Sequence, residues 1–215
     1  MTLRSWHTPL VAAALAVLAA PAVADDFKGK TAGDLILRAR ALGVVVNQTS
    51  DIRDRNGNDT TLDAKVSNDV IPELDLSYFI TDNIALELIA GTSKHNVKVK
   101  QLGADLGSVR LLPPTLTAQY HFLPKARFSP YVGAGLNWTL FYDEKSGQFD
   151  SVKYENSFGV AAQAGFDYFI TDNWLVNVDI KKIWLDTKVK VNGGALHTKA
   201  DLDPWLFGVG IGYKF

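Results

Sequence analysis

The stretch Trp205-Leu206-Phe207-Gly208-Val209-Gly210-Ile211-Gly212-Tyr213-Lys214-Phe215 decides the fold. One parity holds Trp205, Phe207, Val209, Ile211, Tyr213 and Phe215; the other holds Leu206, three glycines and Lys214. A period of two is the period of a β-strand, and here it commits one whole face to an apolar medium. The same alternation recurs over 34–46 and near 71–80, 84–93, 111–122, 131–142, 157–170 and 174–185. Eight strands are therefore predicted.

The connections alternate in length. Thr81-Asp82-Asn83, Leu123–Pro130 and Thr171-Asp172-Asn173 are short, whereas roughly 47–69, 94–109, 143–156 and 186–203 are long and polar. Short turns on one rim and long loops on the other predict an all-β, eight-stranded antiparallel transmembrane β-barrel of the outer-membrane type. The short turns are periplasmic and the four long loops extracellular. Tyr78-Phe-Ile-Thr-Asp-Asn83 recurs identically at Tyr168–Asn173, which reads as one periplasmic hairpin used twice. Aromatics fall in two bands. Tyr78, Tyr120, Phe122, Tyr168, Trp174, Tyr213 and Phe215 lie near the short-turn rim, and Trp138, Tyr142, Phe158, Trp184 and Trp205 lie near the other. Rings at two depths suit the two headgroup layers of a bilayer.

Composition narrows the class. Of 215 residues 47% are hydrophobic and none is cysteine, which excludes a disulfide scaffold and a thiolate metal site. A formal charge of −1 supplies no basic field for nucleic acid. Arg4 and His7, the apolar run Pro9–Ala20 and then Ala22-Val23-Ala24 read as a secretory signal peptide, residues 1–24, cleaved after Ala24. Removing those 24 residues leaves 191, Asp25–Phe215, as the barrel domain with charge −2 once Arg4 is gone.

Which face is wet decides between a membrane barrel and a soluble one. The parity opposite the apolar face carries Arg38, Arg40, Glu73, Asp75, Glu87, Asp167, Asp179, Lys181 and Lys214, with Gln119, His121, Gln163 and Asn177. Eight strands leave a lumen barely wide enough for side chains. Trp138, Trp174, Trp205, Phe207 and their kin cannot all fit inside it. Gly133, Gly165, Gly208, Gly210 and Gly212 on the charged parity leave room for long charged side chains instead. The apolar face therefore meets lipid, and the inward charges form a paired ionic plug. Lys182 breaks the pattern: it either snorkels to the headgroups or marks a bulge.

Toward the external rim the inward parity turns apolar, with Leu42, Val44, Val46, Ile89, Leu111, Phe141, Ile183 and Leu206. These residues line either an apolar pocket open to the outside or an ordinarily packed barrel end. Pro113-Pro114 lie high on the fourth strand, and proline gives the ladder no N–H. The hydrogen bonds to strand three or five must lapse there. Either pairing ends at the loop, or the wall has a lateral opening.

With these features in hand, the chain resembles the outer membrane protein W (OmpW) family. The resemblance rests on the two Tyr-Phe-Ile-Thr-Asp-Asn hairpins, Leu112-Pro-Pro-Thr-Leu-Thr-Ala-Gln-Tyr-His-Phe122, Tyr131-Val-Gly-Ala-Gly-Leu-Asn137 and the terminal Gly-Tyr-Lys-Phe215. That family includes alkane-uptake barrels. The resemblance implies passive uptake of small hydrophobic molecules without a cofactor, through an apolar pocket and lateral release into the membrane at Pro113 and Pro114. It also implies contact with outer-membrane lipids and lipopolysaccharide, and recognition of Phe215 by the barrel-assembly machinery. The alternative reading is a structural or receptor barrel, serving bacteriocin binding or the envelope-stress response, with a packed lumen.

Catalysis has a thin basis. Ser93 and His95 share one face of a strand, which permits a nucleophile–base contact, yet no acidic partner stands nearby in the sequence. His121 faces inward near the lower rim and His197 lies in a long loop. No His and carboxylates stand at metal-ligand spacing. Asp51–Asp59 superficially resembles a calcium loop, but its acidic spacing fails and it reads as a turn. No enzyme activity is expected.

Overall fold

The computed structural model describes residues 27–46, 49–54, 56, 58–62, 64–99, 101, 103–194 and 196–215. The signal-peptide reading and its cleavage site lie outside them.

Eight strands close the wall: β1 (Leu35–Val45), β5 (Asp69–Phe79), β6 (Ile84–Gly91), β9 (Thr115–His121), β10 (Phe128–Lys145), β12 (Ser157–Phe169), β13 (Trp174–Trp184) and β16 (Trp205–Lys214). Each pairs antiparallel with its neighbour in chain order, and β16 returns to β1 from Ile36↔Lys214 to Val45↔Trp205. Closure leaves the wall no open edge, which lipid requires because it offers no hydrogen bonds.

The distribution of side chains is inverted relative to a soluble protein. Arg38 heads the largest fully buried side chains, while Phe158, Val209 and Trp138 stand 64%, 60% and 58% exposed on the outside. The short periplasmic turns are stapled alike. Thr81 Oγ1 accepts from the Ile84 N–H and Thr171 Oγ1 from the Trp174 N–H, each at 2.9 Å. Asn83 and Asn173 each donate a side-chain N–H at 2.7 Å to the next strand, to the His121 and Lys214 carbonyls. The repeated hexapeptide is thus one hairpin solution built twice.

Above the bilayer the structure departs from the expectation of long polar loops. The connections are largely extended: β2 (Thr49–Asp54), β3 (Asp59–Leu62), β4 (Ala64–Val66), β7 (Ser93–Val99), β8 (Asp105–Leu112), β11 (Val152–Tyr154), β14 (Asp186–Val191) and β15 (Leu196–Asp201). The order β11-β14-β15-β2-β3 forms a second, five-stranded sheet, and β8 continues the wall against β10 and β7. Their inward side chains make a cluster around Val97, Val99, Leu106, Val109, Val189 and Val191. From β13 into β14 the inward parity does not break across this boundary; only its chemistry changes. On β13 and β14 it runs Asn177, Asp179, Lys181, Ile183, Leu185, Thr187, Val189, Val191, while the outward side turns from Val176, Val178 and Ile180 to Lys188 and Lys190. Below the boundary lipid is outside, so apolar groups face out; above it water is outside, so they face in.

The register also settles Lys182. It stays in step with Ala162 on one side and Trp205 on the other, so there is no bulge. Its ammonium donates to the Asp203 carbonyl and lies 5.3 Å from the Trp205 ring centroid, near the external rim. That is snorkelling along an aromatic girdle.

Candidate functional site

The lumen has two halves. The lower half is ionic and filled. Arg38 donates from Nη1 to Asp75 Oδ1 at 2.9 Å and to the Ser77 hydroxyl at 2.7 Å, and from Nε and Nη2 to the two Asp167 oxygens at 3.1 and 2.7 Å. Arg40 binds Glu73 at 2.8 Å through Nε, and Glu87 and Asn177 through its two terminal nitrogens. Tyr131 donates its hydroxyl to Asp179 at 2.8 Å, and Gln163 donates to Glu87 at 2.8 Å. All these groups are buried, and such ions persist because each finds opposite charge and fixed donors. Small residues leave the space: a Cβ at Gly165 would lie 2.6 Å from the Tyr131 hydroxyl oxygen.

Sequence reasoning missed what closes this half from beneath. Residues 27–33 fold up into the periplasmic mouth. Lys30, fully buried, meets Asp167 Oδ2 and His121 Nδ1 at 2.8 Å and the Ser129 hydroxyl at 2.9 Å. Its backbone N–H donates to the Pro124 carbonyl at 2.8 Å, and Lys125 donates back to the Lys30 carbonyl at 2.9 Å. Phe27 packs against Phe169 in a tilted arrangement, 5.0 Å between ring centroids. No period of two marks this segment; its one sequence signal is a lysine beside the first strand.

The upper half holds a cavity of about 180 Å3. Leu42, Val44, Val46, Ile89, Leu111, Phe141, Ile183 and Leu206 all line it, and it continues into the extracellular cluster past Val97, Val109 and Val189. Glu73 and Lys181 also belong to the lining, where the cavity meets the ionic network.

Pro113 lines the cavity too. Pairing between β6 and β9 stops at Ile89↔Thr115 and resumes between β7 and β8 at Ser93↔Leu111, leaving Ala90, Gly91, Thr92 and residues 112–114 out of the ladder between these strands. The lapse is on the strand-three side only. Toward β10 the register continues, with the Trp138 N–H on the Pro114 carbonyl at 3.0 Å. Asn137 braces the site from within, donating to Thr115 Oγ1 at 2.9 Å. Across it, the Thr92 and Tyr142 hydroxyls meet at 2.5 Å.

Ser93 and His95 meet as their spacing permits. Ser93 Oγ lies 3.0 Å from His95 Nε2, and His95 Nδ1 lies 2.7 Å from the Ser67 carbonyl. That carbonyl can only accept, so Nδ1 carries a proton, and in the neutral ring Nε2 accepts from the serine hydroxyl. His121 sits in the ionic half beside Lys30, with Nε2 3.1 Å from Gln119. The His197 side chain lies outside the described residues, as do several side chains of 51–59. Within that loop Asp54 Oδ1 accepts from the Asn56 and Asn58 N–H groups at 2.8 Å, an Asx-type turn. At the periplasmic rim Lys125 pairs with Asp82 at 2.8 Å; its hydrogen bond, then that of the Ala32 N–H, hold the Asp82 carboxyl below the usual range.

A closed eight-stranded barrel with a lipid-facing apolar wall, aromatic girdles and a charged lumen is an outer-membrane protein. The chain belongs to the OmpW family, whose model matches residues 31–215. It is 46% identical over 211 residues to the uncharacterized outer-membrane protein y4mB of Sinorhizobium fredii, covering 94% of this chain and 90% of that one. It is 36% identical to outer membrane protein W of Vibrio cholerae, covering 94% and 97%. The crystal structure of OprG from Pseudomonas aeruginosa superposes with a TM-score of 0.84 at 33% identity, over 88% of this chain and 99% of that one.

Proposed function

We propose that this barrel carries small hydrophobic molecules from the cell exterior into the outer membrane, passively and without a cofactor. The observation that carries the reading is the apolar cavity of about 180 Å3 standing on a buried ionic network. A solute entering it loses contact with water, which stabilises it by about 25 cal/mol per Å2 of apolar surface. The charged half below offers no such gain, and crossing it would break paired ions. The exit in this reading is lateral, through the wall at Pro113 and Pro114, where the cavity lining and the ladder gap coincide. Gradient and partitioning drive the flux. Exposed Phe215 is the assembly-machinery signal in the same reading, and lipid and lipopolysaccharide surround the wall.

The lateral step has its own test. Pro113→Val with Pro114→Thr restores two N–H groups and lets β6 and β9 pair further up. Transfer of a dilute apolar fluorophore into vesicles carrying this variant should be at least several-fold slower than with the original protein. Unchanged transfer removes the wall opening. Transfer no faster than in protein-free vesicles, for either protein, removes uptake itself and leaves the structural or receptor role.

A further inference from the structure

The cavity floor is not uniformly apolar, and one side chain there has an unused function. Lys181 is 1% exposed and lines the cavity, yet its ammonium makes no hydrogen bond among the described residues. Its ion-pair partner, Asp179 Oδ1, stands 3.8 Å away, beyond hydrogen-bond distance, the other Asp179 oxygen is held by Tyr131, and Glu87 acts on it as a neighbouring charge. Gln163, its cross-strand neighbour, turns its amide nitrogen to Glu87 and Thr117, and its amide oxygen makes no bond to Lys181. Leu206, the neighbour on the other side, offers no side-chain acceptor. Every other cation of the lower network donates to at least one named acceptor. A buried ammonium with three unused donors is costly, and the cost is recovered by whatever brings an acceptor to it.

We infer that Lys181 anchors the polar end of the solute, and that the preferred solute is an apolar chain ending in a neutral oxygen acceptor such as a ketone. This rests on the uptake reading above and names the substrate class of the same cavity. A pure hydrocarbon fills the apolar walls and leaves the ammonium without a hydrogen-bond acceptor. A carboxylate would pair with it but would disturb the charge balance. The five buried carboxylates Glu73, Asp75, Glu87, Asp167 and Asp179 are already served by Lys30, Arg38, Arg40 and Lys181, and Lys214 pairs with Asp34. A sixth would stand beside Glu73 at the cavity floor as an uncompensated buried anion. A carbonyl oxygen accepts from the free ammonium and adds no charge.

The test is displacement of a bound apolar fluorophore from the refolded barrel by dodecane, 2-dodecanone and dodecanoate. The ketone should displace at about tenfold lower concentration than either of the others, the effect of one added hydrogen bond to a charged donor. Lys181→Met should bring the ketone to the level of the alkane, and Lys181→Arg should keep much of the preference. A second readout needs no variant: the carbonyl carbon resonance of labelled 2-dodecanone bound to the barrel should lie downfield of its position in liquid dodecane, where it has no donor. Equal displacement by ketone and alkane, a bound resonance at its dodecane position, or a Lys181→Met protein that keeps the preference overturns the inference while the cavity reading stands. Tighter binding of dodecanoate overturns the neutral-acceptor assignment. If no probe displaces the fluorophore, the uptake reading falls and this one with it.

Discussion

The two halves of the lumen are built on the same eight strands in the same parity, yet one is sealed and the other hollow. On β1 the inward side runs Ile36, Arg38, Arg40, Leu42, Val44: the long cations reach across and meet carboxylates from β5, β6, β12 and β13, whereas Leu42 and Val44 stop short of the opposite wall. Side-chain reach and pairing fill the lower half. Shorter branched residues, held apart by the extracellular sheet, leave space in the upper half. Backbone geometry alone therefore does not decide whether an eight-stranded barrel is open.

Substitutions should separate the halves. The largest effect is expected from Asp167→Ala, which strips Lys30 and Arg38 of a shared partner at 2.8 and 2.7 Å. Breaking a buried pair costs about 3–5 kcal/mol, so the urea midpoint for unfolding in detergent should fall steeply or refolding should fail. A loss under about 1 kcal/mol would mean the network is not what holds the lower half. Next comes Gly165→Val, whose branched side chain collides with Tyr131; overpacking of this kind costs about 1–3 kcal/mol. In the upper half Leu206→Ala borders existing space, so it should fall at or below the low end of the usual Leu→Ala range, about 2 kcal/mol. Parity of its cost with Asp167→Ala would erase the contrast.

The smallest effect belongs to the rim. Lys125 and Asp82 are both about half exposed, and solvent screens them, so Asp82→Asn, which keeps an oxygen for the Ala32 N–H, should leave the unfolding midpoint unmoved within error. The sign of its pH dependence is fixed. Because the Asp82 carboxyl is held below its ordinary value, any stability it contributes is present above the usual carboxylate range and is lost only on acidifying through the lowered value. Titration from pH 7 to pH 5 should leave that contribution intact.

The wall was legible because lipid outside and ions inside impose a strict period of two, and an eleven-residue stretch such as Trp205–Phe215 repeats it long enough to read. The ionic network was legible as a set, because charges on the lipid-opposed parity have nowhere else to go. Individual partners were not, since Arg38 pairs with Asp167 across the lumen and no periodicity encodes that contact. The strands within the extracellular connections are not legible because their alternation is inverted: Lys94-His95-Asn96-Val97-Lys98-Val99 and Thr187-Lys-Val-Lys-Val191 look polar when apolar is expected outside. The plug at Phe27–Gly33 follows no period at all, and only the buried lysine betrays it.

The central claim is that the solute occupies the upper half and never crosses the lower one. Its most direct test is transfer of an apolar fluorophore into vesicles carrying the native barrel or Ile89→Trp, which fills the cavity from its lining while leaving the ionic network untouched. Transfer should be fast for the native barrel and fall to the protein-free rate for the variant. A tryptophan variant that transfers as fast as the native barrel would contradict it.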